Sequence, residues 1–316
     1  MSQFQPPFGL RHAHIQTIAG SSLRKLLVPR RAATVTAAEQ LEVLTTSEGV
    51  RLAAWVSAQE APAPTVVIIH GWLGTHNSSY SLSLAETLWR AGFTVIRLNL
   101  RDHGGTAHFN QGMFHNGLLA EVVDVVGQLQ ARYPTLGLAG FSLGGNFALR
   151  LAKQLGIPAL GICPLMDPAA SIKAVDNGSV VYRRYFIRKW LRALVEKSQA
   201  FPGIYDFTVR GAASLTSVHD MTAHFVEQHT DYASLAEYYG CYTLTGDFLA
   251  GTKAAILAAA DDPVVPVEGF ARLPATLAVN VQDRGGHCAF LDSYRLSSFV
   301  DGHALDYFES ALAPSP

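Results

Sequence analysis

Short apolar runs bounded by turn-forming residues recur along the chain at 66–69 (VVII), 94–98 (TVIRL), 136–140 (LGLAG), 159–162 (ALGI) and 254–257 (AAIL). Runs of this kind suit strands buried on both faces of a parallel sheet. Segments with helical spacing lie between them at 82–91, 117–133 and 143–155, and a last one covers 294–312. Alternating strand and helix predicts an α/β fold with right-handed crossovers. Ahead of the parallel strands, 41–45 and 51–56 are joined through Ser47, Glu48 and Gly49 and predict an antiparallel hairpin at the sheet edge.

The rhythm breaks between about 169 and 252. Here 182–191 and 231–239 have helical character and no strand is evident. The pattern predicts a mostly parallel central sheet flanked by helices, formed by residues 1–168 and 253–316, with 1–39 as an N-terminal extension. Residues 169–252 are expected to form an inserted helical cap. The tail 311–316, rich in alanine and proline, is expected to fray.

Composition narrows the class. Of 316 residues 49% are hydrophobic and 16% charged, which excludes a disordered or fibrous chain and predicts a filled core. The 24 Lys and Arg balance 25 Asp and Glu, so no overall field attracts nucleic acid, and no nucleic-acid partner is expected. One basic cluster, Arg24, Lys25, Arg30 and Arg31, could touch phosphates or lipid headgroups, but a solvated face is the favoured reading. Cys163, Cys241 and Cys288 are too few and too scattered for a disulfide framework and suit a reducing compartment. The N-terminus lacks the apolar stretch of a signal peptide, and no run of about 18 apolar residues occurs. A cytoplasmic protein without stable membrane insertion is expected.

The chemistry centres on Gly140-Phe141-Ser142-Leu143-Gly144. A G-x-S-x-G pentapeptide between strand and helix is the sequence form of a nucleophile elbow, in which glycines two residues on either side remove Cβ atoms that would clash. Ser142 would then stand above the sheet at a helix N-terminus. A serine hydroxyl needs a histidine base and an orienting carboxylate, in the chain order Ser, Asp, His. The strand from 254 runs into Asp261-Asp262-Pro263-Val264-Val265-Pro266, where Asp262 is the preferred acid and Asp261 the alternative. His287 follows two glycines on a loop before the final helix and is the candidate base.

An oxyanion hole needs two backbone N–H groups. Leu143 would give one, and the loop His70-Gly71-Trp72-Leu73-Gly74 the other, from Trp72 or, second, Leu73. His70 reads as a structural hydrogen-bonding residue. His219, His224 and His229 are five apart, so each step turns about 140° around a helix and they share no face. His103 and His108 beside Asp102 read as loop residues, and no H-E-x-x-H or phosphate-binding glycine pattern occurs. No catalytic metal and no cofactor are expected.

These motifs resemble the α/β-hydrolase superfamily and, within it, the YheT-like esterase branch. The opening 7–17, ending in His14-Ile15-Gln16-Thr17, is similar to that branch's proline-rich segment closing on H-x-Q-T. His70 to Gly74 resembles its H-G-x-x-G, 99–106 its N-x-R-G-x-G-G-S, 140–146 its G-F-S-L-G-G-N and 284–290 its H-G-G-H-x-G-F. Asp102, Arg284 and Ala289 depart from those patterns. The resemblance implies a Ser142, Asp262, His287 triad and a serine esterase that cleaves carboxylic esters through an acyl-enzyme. The partner would be a small-molecule ester with an apolar acyl chain. The cap aromatics Tyr182, Tyr185, Phe186, Trp190, Phe207, Phe225, Tyr238 and Tyr239 could line its site. An acyltransferase using the same residues, or a binding protein on the same fold, is the alternative.

Overall fold

A computed structural model of the protein describes residues 3–207 and 216–313. Eight strands form one sheet: β1 (Glu39–Thr45), β2 (Arg51–Ser57), β3 (Thr65–Ile69), β4 (Thr94–Leu98), β5 (Leu136–Phe141), β6 (Ala159–Ile162), β7 (Ala254–Ala259) and β8 (Ala278–Gln282), in the spatial order β1-β2-β4-β3-β5-β6-β7-β8. The β1–β2 hairpin lies at one edge, and β2 pairs antiparallel with β4. Every pair from β4 through β3 to β8 is parallel. The expected architecture is therefore the observed one.

Alternation along β3 explains the layering. Val66 and Ile68 face one apolar cluster, with Leu84 and Leu88 of α4 (Ser79–Arg90) and Phe308 of the final helix, Phe299–Ala311. Val67 and Ile69 face the other, with Val122, Val125 and Val126 of α5 (Leu119–Arg132) and Phe147 and Leu151 of α6 (Leu143–Leu155). Successive strand side chains point to opposite faces, so both faces are sealed by helices and the run must be apolar throughout.

Between β6 and β7 the described chain is helical: α7 (Pro168–Asn177), α8 (Val180–Ala200), α9 (Val218–His229) and α10 (Leu235–Gly240), without a strand among the described residues. Before β1 stand three short helices, α1 (Ala13–Ile18), α2 (Arg24–Arg31) and α3 (Ala33–Ala37), with a π-helical turn at Ala19–Leu23. No described helix is long and apolar enough to cross a membrane.

Two expectations need correction. The final helix starts at Phe299, not 294, because Leu291 bridges Ser298 and the Ser298 side chain caps the helix by accepting from the Val300 amide. The tail is not frayed from 311: Leu312 is buried in the core, while 314–316 lie outside the described residues.

Candidate active site

The turn between β5 and α6 is built by its glycines. A Cβ on Gly140 would lie 2.1 Å from the Gly144 carbonyl oxygen, and one on Gly144 would lie 2.2 Å from that of Ile69. With both absent the chain reverses tightly enough to force Ser142 to φ 55° and ψ −117°, a conformation costing on the order of 1–3 kcal/mol for a residue with a Cβ. The Ser142 amide donates to Ile162 at 2.9 Å, and its carbonyl accepts from Leu165 at 3.1 Å, which fixes the turn against β6.

The structure brings Ser142, His287 and Asp262 into one line. Ser142 Oγ is 2.9 Å from His287 Nε2, and His287 Nδ1 is 2.8 Å from Asp262 Oδ2. The other carboxylate oxygen, Oδ1, accepts from the Val264 and Val265 amides at 2.8 and 3.0 Å. The turn after β7 thereby aims Oδ2 at the imidazole. Asp261 faces away and accepts from the Gly286 amide at 2.9 Å, so the two adjacent carboxylates are separated in role by geometry.

Electrostatics follow from this arrangement. Burial disfavours the His287 cation, but the Asp262 carboxylate, with Cys288 beside it, outweighs burial and holds the imidazole well above its ordinary pKa of 6.5. Side-chain exposure is 14% for His287 and 2% for Asp262, so the pair is largely shielded from screening water.

The amides expected to face a developing oxyanion sort themselves. Gly71 N–H donates to the Tyr80 hydroxyl at 3.0 Å, and Leu73 N–H donates to His103 Nε2 at 3.2 Å. Among the described residues the amides of Trp72 and Leu143 have no such acceptor. Both residues border a cavity of about 700 Å³ that reaches Ser142 and His287. His70 accepts from the Leu100 amide through Nε2 and contacts the Gly71 carbonyl through Nδ1, a structural role.

Of the cap aromatics, Tyr182, Tyr185, Phe186, Trp190, Phe225 and Tyr238 border the cavity. Phe207 does not: it stacks on Tyr205 and meets His229 edge to face. Tyr239 packs instead among Val226, Tyr238 and Tyr242.

Several contributors escape inspection of the sequence. Thr17 Oγ1 accepts from the His287 amide at 2.9 Å, and Gln16 clamps Leu291 from both sides, accepting from its amide and donating to its carbonyl. The signal was the H-x-Q-T segment, whose spacing carries no hint of its partner. Cys163 and Cys288, scattered in sequence, meet as free thiols, with one ligand atom each from Cys163, Cys288 and His287 within 4.8 Å of one another. An ion there would compete with Ser142 and Asp262 for the imidazole nitrogens, which both already engage.

A scan against family models decides the class. Residues 66–296 match the model described as "Alpha/beta hydrolase family". The chain belongs to that family. Over 305 residues this α/β hydrolase is 27% identical to "Putative esterase YheT" of Escherichia coli (strain K12), covering 92% of this chain and 87% of the relative. Across 116 residues it is 34% identical to "Thermostable monoacylglycerol lipase" of Bacillus sp. (strain H-257), covering 36% of this chain and 44% of the other. Among solved structures the Pyrococcus furiosus esterase Pf2001 superimposes with a TM-score of 0.55 at 14% identity, over 90% of this chain and 94% of that one.

Where this α/β hydrolase departs from the branch motifs, each departure has a local partner. Asp102 sits at φ 61°, a glycine-like conformation, and its carboxylate binds Lys197 Nζ and the Phe114 amide, both at 2.8 Å. Arg284 donates to the Arg11 carbonyl at 2.8 Å. Ala289 packs on Gly20, where a Cβ would stand 2.7 Å from its own.

Proposed function

We propose that this chain is a serine esterase acting on carboxylic esters. The observation that carries the reading is the continuous Ser142–His287–Asp262 hydrogen-bond line, with Ser142 held on a strained turn at the start of α6. In this reading His287 Nε2 takes the proton of Ser142 as its oxygen attacks the ester carbonyl. The amides of Leu143 and Trp72 hold the oxyanion. The protonated imidazole then gives its proton to the departing alcohol, leaving an acyl-serine. Water, deprotonated by the same histidine, releases the acid. Asp262 keeps Nδ1 protonated and stabilises the transient imidazolium.

Residues 169–252 serve as a cap over the site. Trp72 lies between core and cap, its ring 5.6 Å from Phe186 and 5.1 Å from Trp190. This aromatic wall and the cavity of about 700 Å³ suit an apolar acyl chain. The names of the relatives, an esterase and a monoacylglycerol lipase, support the same substrate chemistry.

The test is covalent labelling with a fluorophosphonate probe and mass mapping of the modified peptide. Ser142 is expected to be labelled, and labelling is expected to vanish in Ser142→Ala and His287→Ala. A folded wild-type protein that stays unlabelled would overturn the assignment.

A further inference from the structure

Charge is balanced over the whole chain and segregated around the cavity. Residues 1–37 carry five basic side chains and no acid, and α8 carries six basic side chains and only Glu196. The two segments thus hold eleven of the 24 Lys and Arg residues and one of the 25 Asp and Glu residues. Within this set, among the described residues, only Arg24 and Lys197 lie in ion pairs, with Asp301 and Asp102. Arg11, Lys25, Arg30, Arg31, Arg184, Arg188 and Arg192 are exposed.

These segments meet. His14 Nδ1 lies 2.8 Å from the Tyr182 hydroxyl, and both segments border the cavity above Ser142. Exposed side chains that border the cavity include Ile18 and Lys25 on one side and Val181, Tyr185 and Arg192 on the other, with Glu196 as the acid among them. Along α8 the exposed residues Val181, Arg184, Tyr185, Arg188 and Arg192 recur at intervals of three and four, so they share one face. On the opposite side Leu26, 72% exposed, follows Lys25 directly.

The rim is mostly basic and apolar, and its large apolar side chains are costly to leave facing water. Its chemistry matches the boundary between anionic headgroups and acyl chains, where apolar side chains insert shallowly and Lys and Arg meet phosphates. We infer that the cavity mouth docks on an anionic lipid surface through α8 and the N-terminal helices. Docking would set the mouth against the bilayer, and an acyl chain would enter the cavity without crossing water. The balanced net charge hides this patch from any estimate based on composition.

The experiment is vesicle flotation with the full-length Ser142→Ala protein, which binds without turnover. Vesicles of phosphatidylcholine alone are compared with vesicles that also contain phosphatidylglycerol, at low and high salt. Binding is expected to the anionic vesicles only and to fall with salt. The double variant Arg184→Glu/Arg188→Glu, at exposed positions that do not border the cavity, is expected to bind at least tenfold more weakly, since each basic residue contributes about fivefold at such a surface. Leu26→Ser should weaken binding without altering its salt dependence. Unchanged circular dichroism, and unchanged fluorophosphonate labelling of the same substitutions with Ser142 present, separates lost docking from lost folding or a lost active site. Equal binding to both vesicle types, no binding, or indifference to charge reversal would overturn the inference. So would binding to a soluble polyanion such as heparin but not to vesicles.

Discussion

The Thr17 hydroxyl accepts a hydrogen bond from the His287 backbone N–H at 2.9 Å and donates one to the Ala13 carbonyl at 2.9 Å. A residue near the start of the chain thus fixes the loop bearing the proposed base near its end. Thr17→Val keeps the shape and leaves the His287 amide without its acceptor. That loss costs about 1–1.5 kcal/mol, so kcat should fall about tenfold while KM on a short-chain ester changes little. Thr17→Ser should restore most of the rate. Steady-state kinetics of the two variants distinguish a positioning role from general destabilisation, which would depress both alike.

Asp261 and Asp262 offer an internal comparison. Only Asp262 reaches the imidazole, while Asp261 holds the Gly286 amide. Asp262→Asn should lower kcat/KM by a factor on the order of 10⁴, the size of effect seen when a triad acid loses its charge. Asp261→Asn keeps an acceptor oxygen for Gly286 and should cost less than about tenfold, the scale of one neutral hydrogen bond. Equal losses in the two variants would reverse the assignment.

The proposed base must be neutral to accept a proton. Burial alone would lower the His287 pKa, but Asp262 and Cys288 prevail and raise it well above 6.5. Activity should therefore rise with pH through a limb on the alkaline side of 6.5, and Asp262→Asn should move that limb toward lower pH. The stability linkage has the opposite sense. A raised folded-state pKa stabilises the fold fully below 6.5, and that contribution disappears as pH climbs through the raised value. A pH profile of kcat/KM with its acid limb below 6.5 would contradict this electrostatic picture.

Lys197 is 2% exposed and gathers four acceptors: Asp102 at 2.8 Å and the carbonyls of Ala107, Asn110 and Gly112 at 3.2, 2.5 and 3.0 Å. It ties α8 to the loop beside the cavity. Lys197→Met would strand a buried carboxylate at a cost of about 3–5 kcal/mol and lower the melting temperature by roughly five to eight degrees. Adding Asp102→Asn should recover part of that loss. Differential scanning calorimetry of the single and double variants reads both effects.

How much of this was legible depends on sequence distance. The elbow around Ser142 is a local pattern, with strand, turn glycines and helix packed into a few residues, and its geometry follows from steric exclusion at Gly140 and Gly144. The order Asp262-Pro263-Val264-Val265-Pro266 already favours Asp262 over its neighbour in the sequence, while the physical distinction, the capture of one Asp262 oxygen by the Val264 and Val265 amides, is visible only in three dimensions. Thr17 and Gln16 stayed hidden because their partners lie 270 and 275 positions away. The last helix begins later than its apolar spacing suggests because Leu296, four before Val300, continues the helical period while that stretch belongs to a turn closed by the Leu291–Ser298 bridge. Cys163 and Cys288 were likewise brought together by tertiary packing that their spacing does not encode.

The anchoring of the N-terminal segment has a consequence for biosynthesis. Besides Thr17 and Gln16, the Phe4 amide donates to Gln282, and Arg24 pairs with Asp301 at 3.5 Å. The part of this chain that leaves the ribosome earlier waits for the part that leaves later, and loop closure across such a span is slow compared with local helix formation. The β5–α6 turn can form while translation is under way, but His287 gains its seat only after residues 282–301 have emerged. On the proposed reading, a nascent chain carries Ser142 without its base until the His287 loop has been made and seated on Thr17.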